Sequence, residues 1–116
     1  MLNYKKIISR LLDQNIYILS NDDKEAIIID PGLGFDLIDG YLKSENLSPI
    51  AVLATHAHID HIASANDCIK NYNIPFYICR GNSIMLDHYD IMKGYMHVDS
   101  EKPKVSHWIE DSDKKL

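Results

Sequence analysis

Residues 55–61 read "THAHIDH", which puts three histidines and an aspartate within six residues. His56 and His58 are two apart, so in extended backbone their side chains leave on one side. Asp60 and His61 follow where the chain is expected to turn into a helix. One short loop can then offer two imidazoles to one metal ion and a carboxylate plus an imidazole to a second. Zinc, iron and manganese all accept these ligands. Two ions roughly 3.5–4 Å apart can share a hydroxide nucleophile and polarise a carbonyl or phosphoryl oxygen. A lone histidine would be an ordinary surface residue, and Asp60 alone could serve as a helix cap. The cluster as a whole, set directly behind an apolar run, points to metal binding.

Such a loop needs a scaffold, and the neighbouring sequence describes one. "NIYILS" (15–20) and "EAIIID" (25–30) read as strands joined by the turn "NDDK" (21–24). The unbroken β-branched run of the second predicts a strand buried on both faces. "PGLG" (31–34) breaks it. Phe35, Ile38 and Leu42 then recur at helical spacing over 35–46, with Leu37 and Tyr41 widening the stripe. "IAVLAT" (50–55) is the next apolar run. Strand, helix, strand implies a crossover unit, and open sheets place their sites at the carboxyl ends of strands. Beyond the histidine loop, Ile62, Ala65, Ile69 and Tyr72 predict a helix over 62–72. "NIPFYIC" (73–79) reads as a turn and strand, 82–96 as partly helical up to Gly94, and "KVSHWIEDSDKKL" (104–116) as a strand-like piece followed by a polar turn.

Composition narrows the function. The chain has 116 residues, is 46% hydrophobic and carries a formal charge of −5. One domain with a modest core is expected. The acidic balance disfavours nucleic acid as a partner. No apolar run is long enough for a membrane span. The N-terminal "MLNYKKIISRLLDQN" has no apolar signal region, and acidic Asp13 argues against an amphipathic targeting helix there, so a cytoplasmic protein is expected. Cys68 and Cys79 form no CxxC pair and are expected to be buried or half-buried free thiols.

His56, His58, Asp60 and His61 match the HxHxDH signature of the metallo-β-lactamase-fold hydrolases. "AIIIDPG" (26–32) resembles that family's first strand-end motif, in which an Asp, here Asp30, buttresses the metal loop from behind. The thioesterase branch typified by glyoxalase II, which hydrolyses S-acylglutathiones, looks most similar. The resemblance implies an α/β fold, the N-terminal half of an αββα sandwich, spanning 1–116 as a single domain incomplete at its C-terminus. It implies two zinc ions, with iron or manganese as alternatives, one held by His56 and His58 and the other by Asp60 and His61. A metal-bound hydroxide would attack a small-molecule thioester, with Asp60 placed to orient it. Lactonases and iron-dependent persulfide dioxygenases share the signature, and a non-catalytic metal-binding half-domain is the alternative from another class.

The family draws a third histidine, a bridging aspartate and a further histidine from later motifs that this sequence does not contain. His88, His97 and His107 are expected to be packing or surface residues rather than substitutes. Met85, Met92 and Met96 read as filler, and Asp36, Asp39, Asp87 and Asp90 as solvated helix faces. The implied exposed sheet surface leads to an expectation of self-association or of a completing chain. By itself the chain is expected to bind metal weakly and to lack substantial hydrolase activity.

Overall fold

The computed structural model describes residues 2–10, 13–96 and 102–109. It contains one mixed sheet of six strands whose spatial order follows the sequence, β1 to β6. The hairpin of β2 (Asn15–Ser20) and β3 (Glu25–Ile29) is antiparallel, with Ile18 opposite Ile28. Its turn forms as its residue types dictate. The Asn21 side-chain oxygen accepts hydrogen bonds from the backbone N–H groups of Asp23 and Glu25, both at 3.0 Å.

Helix α1 (Phe35–Ser44) carries the chain over to β4 (Ser48–Ala54), which lies parallel to β3. This is the expected crossover unit. β5 (Phe76–Cys79) and β6 (His107–Ile109) extend the parallel part. The helix expected over 62–72 begins only at Ala65, as α3 (Ala65–Tyr72), after a separate single turn, α2 (Ile59–Ile62). The break has a tertiary cause. The Ser64 backbone N–H donates to the Gly32 carbonyl, and the Ser64 hydroxyl accepts from the Gly34 N–H at 3.0 Å. The segment over 82–96 forms α4 (Ser83–Asp87) and α5 (Tyr89–Met96).

The first strand, β1 (Asn3–Ile8), was not anticipated from its sequence. It pairs antiparallel with β2 at the sheet edge and is mostly exposed, so it carries no alternating apolar pattern. Its two lysines suit an edge that must not pair further.

The core lies on one side of the sheet. Ile16, Ile18, Ile28, Val52, Phe76 and Ile78 are each at most 1% exposed and meet Ile38, Leu42, Ile62 and Cys68 from the helices. Each such side chain contributes roughly 1.5–3 kcal/mol by leaving water. The expectation that the 25–30 run is buried on both faces is not met, because Ile27 and Ile29 are only half-buried. The described helices cover a single face. No helix among the described residues is long and apolar enough to cross a membrane.

Candidate metal centre

β4 ends at Ala54, and the histidine loop begins at the carboxyl end of the parallel strands. The three rings gather there. His56 and His61 have ring centroids 5.2 Å apart, His56 and His58 lie stacked at 5.9 Å, and His58 and His61 stand 6.3 Å apart. Asp60 and His61 lie on the single turn of α2, and the Asp60 Oδ2 is 3.7 Å from the His61 Nε2. His56 and His58 are exposed, whereas Asp60 and His61 are half-buried. Asp60 is inside the first turn of α2 rather than at its cap position.

Asp30 anchors this loop from beneath. It directly follows β3 with a positive φ of 50°, a conformation that Asp tolerates better than most residues. Its backbone N–H donates to the Leu53 carbonyl at 2.8 Å. Where the backbone ladder stops, its carboxylate continues the pairing. Oδ1 accepts from the Thr55 N–H at 2.7 Å and Oδ2 from the Thr55 hydroxyl at 2.6 Å. The His61 Nδ1 is buried and faces the same Oδ2 at 3.2 Å, out of line for a full hydrogen bond. Asp30 is 6% exposed, so these contacts are made largely away from water.

The "PGLG" break holds the other side. The Gly32 N–H donates to the His61 carbonyl at 2.8 Å. Gly32 has φ +55°, and a Cβ there would lie 2.6 Å from the Gln14 side-chain oxygen and 2.7 Å from the Ser9 hydroxyl. Only glycine combines that backbone with that packing. The loop after β5 adds Asn82, whose side-chain oxygen accepts from the Ala57 N–H at 3.4 Å. Thr55 and Asn82 escaped the sequence reading. The position of Thr55 directly before His56 was a signal available for one of them, and nothing in the sequence pointed to Asn82.

The donor chemistry fits divalent transition metals, since imidazoles and a carboxylate converge on one rim. The set is open, however. Among the described residues no group of three His, Cys, Asp or Glu side chains is arranged to hold one ion.

The remaining candidates lie elsewhere. His107 stands edge-on to Tyr77 on the sheet, with centroids 5.2 Å apart. The His88 Nδ1 donates to the Ile84 carbonyl at 2.7 Å within its own helical turn, as a packing or surface residue would. His97 lies outside the described residues, as do the polar turn over 110–115 and the side chains of Met92 and Met96. Met85 packs against the core. Asp36, Asp87 and Asp90 are exposed, with Asp36 accepting two hydrogen bonds from the Arg10 guanidinium and Asp87 beside Lys102 at 3.6 Å. Asp39 is not simply solvated either. It accepts a hydrogen bond from the Tyr72 hydroxyl at 2.7 Å and pairs with Lys43 at 2.8 Å. Cys68 is buried as expected, whereas Cys79 is exposed.

Comparison with known proteins agrees with this architecture. The sequence profile of the metallo-beta-lactamase superfamily matches residues 9–115. The hydroxyacylglutathione hydrolase of Buchnera aphidicola subsp. Schizaphis graminum (strain Sg) is 43% identical over 65 residues, covering 56% of this chain and 26% of that protein. The crystal structure of BLEG-1 B3 metallo-beta-lactamase superposes with a TM-score of 0.80 at 32% identity, over 94% of this chain and 54% of that one. TTHA1623 in a di-iron-bound form shares the fold, with a TM-score of 0.79 at 21% identity over 89% of this chain and 52% of its own. The chain thus spans about a quarter of that curated relative and about half of those solved structures. With its profile, its sheet and its HxHxDH loop in agreement, the chain belongs to the metallo-beta-lactamase superfamily, a family of metallo-hydrolases.

Proposed function

We propose that this chain carries the front half of the site of a metal-dependent hydrolase acting on thioesters of the S-acylglutathione type. The observation that carries the reading is the gathering of His56, His58, Asp60 and His61 on one rim, with Asp30 locked beneath. Similarity to a hydroxyacylglutathione hydrolase supports the substrate class. In this reading His56 and His58 hold one zinc ion and Asp60 and His61 a second, with iron or manganese as alternatives. Such ions lower the pKa of bound water toward neutrality and polarise a substrate carbonyl. The chain's own contribution is placement. Asp30 and Gly32 fix the loop, and in this reading Asp60 would orient the nucleophile.

A protein containing this segment is expected to hydrolyse S-lactoylglutathione faster than a β-lactam. It is also expected to lose bound zinc by elemental analysis on His58→Ala. Oxygen uptake with a glutathione persulfide that greatly exceeds thioester hydrolysis would replace the reading with a dioxygenase. Full metal content in the His58→Ala variant would sink the site assignment.

One observation favours a second reading. No three of the described His, Cys, Asp or Glu side chains are arranged to hold a single ion, and a catalytic zinc takes about three protein ligands plus an open position. The chain by itself is then a metal-binding half-domain without turnover. Zinc titration of the 116-residue chain, paired with a thioesterase assay, separates the two readings.

A further inference from the structure

We infer that the Thr55 hydroxyl is a positioning group that dictates which nitrogen of His56 is left free to bind a metal ion. The inference rests on the metal reading of the loop and adds a residue that the HxHxDH pattern does not include.

A hydroxyl has one proton and can donate only once. The Thr55 Oγ1 lies 2.6 Å from the Asp30 Oδ2, and an ionised carboxylate can only accept. The proton is therefore committed to Asp30. The backbone N–H of the same residue, bound to Oδ1 at 2.7 Å, holds the carboxylate so that it cannot turn away. The Thr55 oxygen is left with lone pairs alone, and the His56 Nδ1 stands 3.0 Å from it. Two acceptors facing each other at that distance would repel. The arrangement is satisfied only if the His56 Nδ1 carries the ring proton, a tautomer assigned here from the network. The Nε2 lone pair is then the one left free.

The same carboxylate oxygen also faces the His61 Nδ1 at 3.2 Å, while the His61 Nε2 points to Asp60 at 3.7 Å. One buried oxygen therefore reaches His56 through the threonine and lies beside His61 without completing a hydrogen bond to it. Fixing the tautomer of a metal-binding imidazole by a partner on its other nitrogen raises affinity, and losing such a partner typically costs 10–100-fold.

The test uses the 116-residue chain with Thr55→Val and Thr55→Ser. Valine keeps the shape and the backbone N–H bond to Asp30 but removes the hydroxyl, whereas serine keeps the hydroxyl. Long-range proton–nitrogen NMR on the zinc-free protein, at a pH where ordinary imidazoles are neutral, reads the tautomer of His56. The expected result is a proton on Nδ1 in the wild type and in Thr55→Ser, and a loss of that preference in Thr55→Val. Zinc affinity by chelator competition should fall about tenfold or more in Thr55→Val and return in Thr55→Ser. A wild-type His56 protonated on Nε2 overturns the inference. So does a folded Thr55→Val protein with unchanged tautomer or unchanged affinity. Should Thr55→Val fail to fold, the wild-type and Thr55→Ser tautomers still decide. If His58→Ala leaves zinc affinity untouched, the metal reading fails instead, and the zinc-free spectrum still reports on Thr55.

Discussion

The two faces of the sheet are built from similar residues and meet different surroundings. On one face Ile16, Ile28, Val52, Phe76 and Ile78 are sealed beneath α1, α3 and the later helices. On the other, Leu19, Ile27, Ile29, Leu53 and Tyr77 are only half-buried, and Ile50 is 43% exposed. Tyr77, Trp108 and Ile109 border a concavity there with Ile27, Ile50 and Leu53. Strand alternation assigns successive residues to opposite faces. An antiparallel sheet with one wet face would show polar residues at every second position. Here both sets are apolar, so the sequence is written for two coverings, of which the described residues supply one. The metal loop sits at the carboxyl ends of these strands, where His56 and His58 are exposed and Asp60 and His61 half-buried.

Cysteine chemistry gives the sharpest contrast. Cys68 sits on α3 at 0% exposure, and burial pushes its thiol up to about 12, with the nearby Asp67 and Asp39 charges adding to the effect. Cys79, at the end of β5, is exposed. Since the thiolate is the reactive form, a thiol reagent at neutral pH should modify Cys79 in the native protein and reach Cys68 only under denaturant. Mass spectrometry of the labelled chain checks this. Equal labelling would mean that the helical face opens readily and that the two sides of the sheet differ less than their burial indicates.

Truncation compares the faces in energy. Phe76→Ala removes a fully buried ring and should cost about 3–5 kcal/mol. Leu53→Ala, from the half-buried side of the neighbouring strand, should cost less, about 1–2 kcal/mol, because part of that side chain already meets water. Urea denaturation of the two variants measures the difference. Comparable losses would show that something covers the open face in solution.

The same contrast marks what could be read from sequence. β2, β3, β4 and the crossover between the last two were legible because β-branched runs bounded by turn residues have few other uses. The one-sided burial of β3 was not legible, since a run such as "EAIIID" specifies apolar character on both faces and says nothing of what covers each. β1 was illegible for the opposite reason, as an exposed edge strand needs no pattern. The predicted 62–72 helix was interrupted by Ser64 bonding to Gly32 and Gly34, contacts thirty or more residues away in the chain. At the site, the spacing of His56, His58, Asp60 and His61 announced a cluster, and the structure gathers the three rings with Asp60 beside His61. Asp30 was reached only through family resemblance. Thr55 and Asn82 act by hydrogen bonds to the loop, which no spacing rule encodes.

The smallest expected effect lies within the covering layer itself. Tyr72 on α3 stacks obliquely on Phe35 of α1 at 5.6 Å and donates its hydroxyl to Asp39 of α1, which Lys43 also engages. Tyr72→Phe keeps the ring and removes this tie, so it should cost about 1 kcal/mol, well below the loss at Phe76. The pH dependence identifies the tie. Lys43 first, and then the Tyr72 hydroxyl, hold the Asp39 carboxyl below its ordinary value of 3.8. That contribution is present above the ordinary value and is lost as pH falls through the folded one. Burial first, and then Asp39, push the Tyr72 phenol above its ordinary value of 10.0, so its contribution is full below that value and declines as pH rises past it. The wild-type advantage over Tyr72→Phe should therefore form a plateau between about pH 4 and pH 10 and shrink on both sides. Urea midpoints of both proteins across that range provide the check. A difference that stays constant through both limbs would assign the loss to packing against Phe35 rather than to the hydrogen bond joining the two helices.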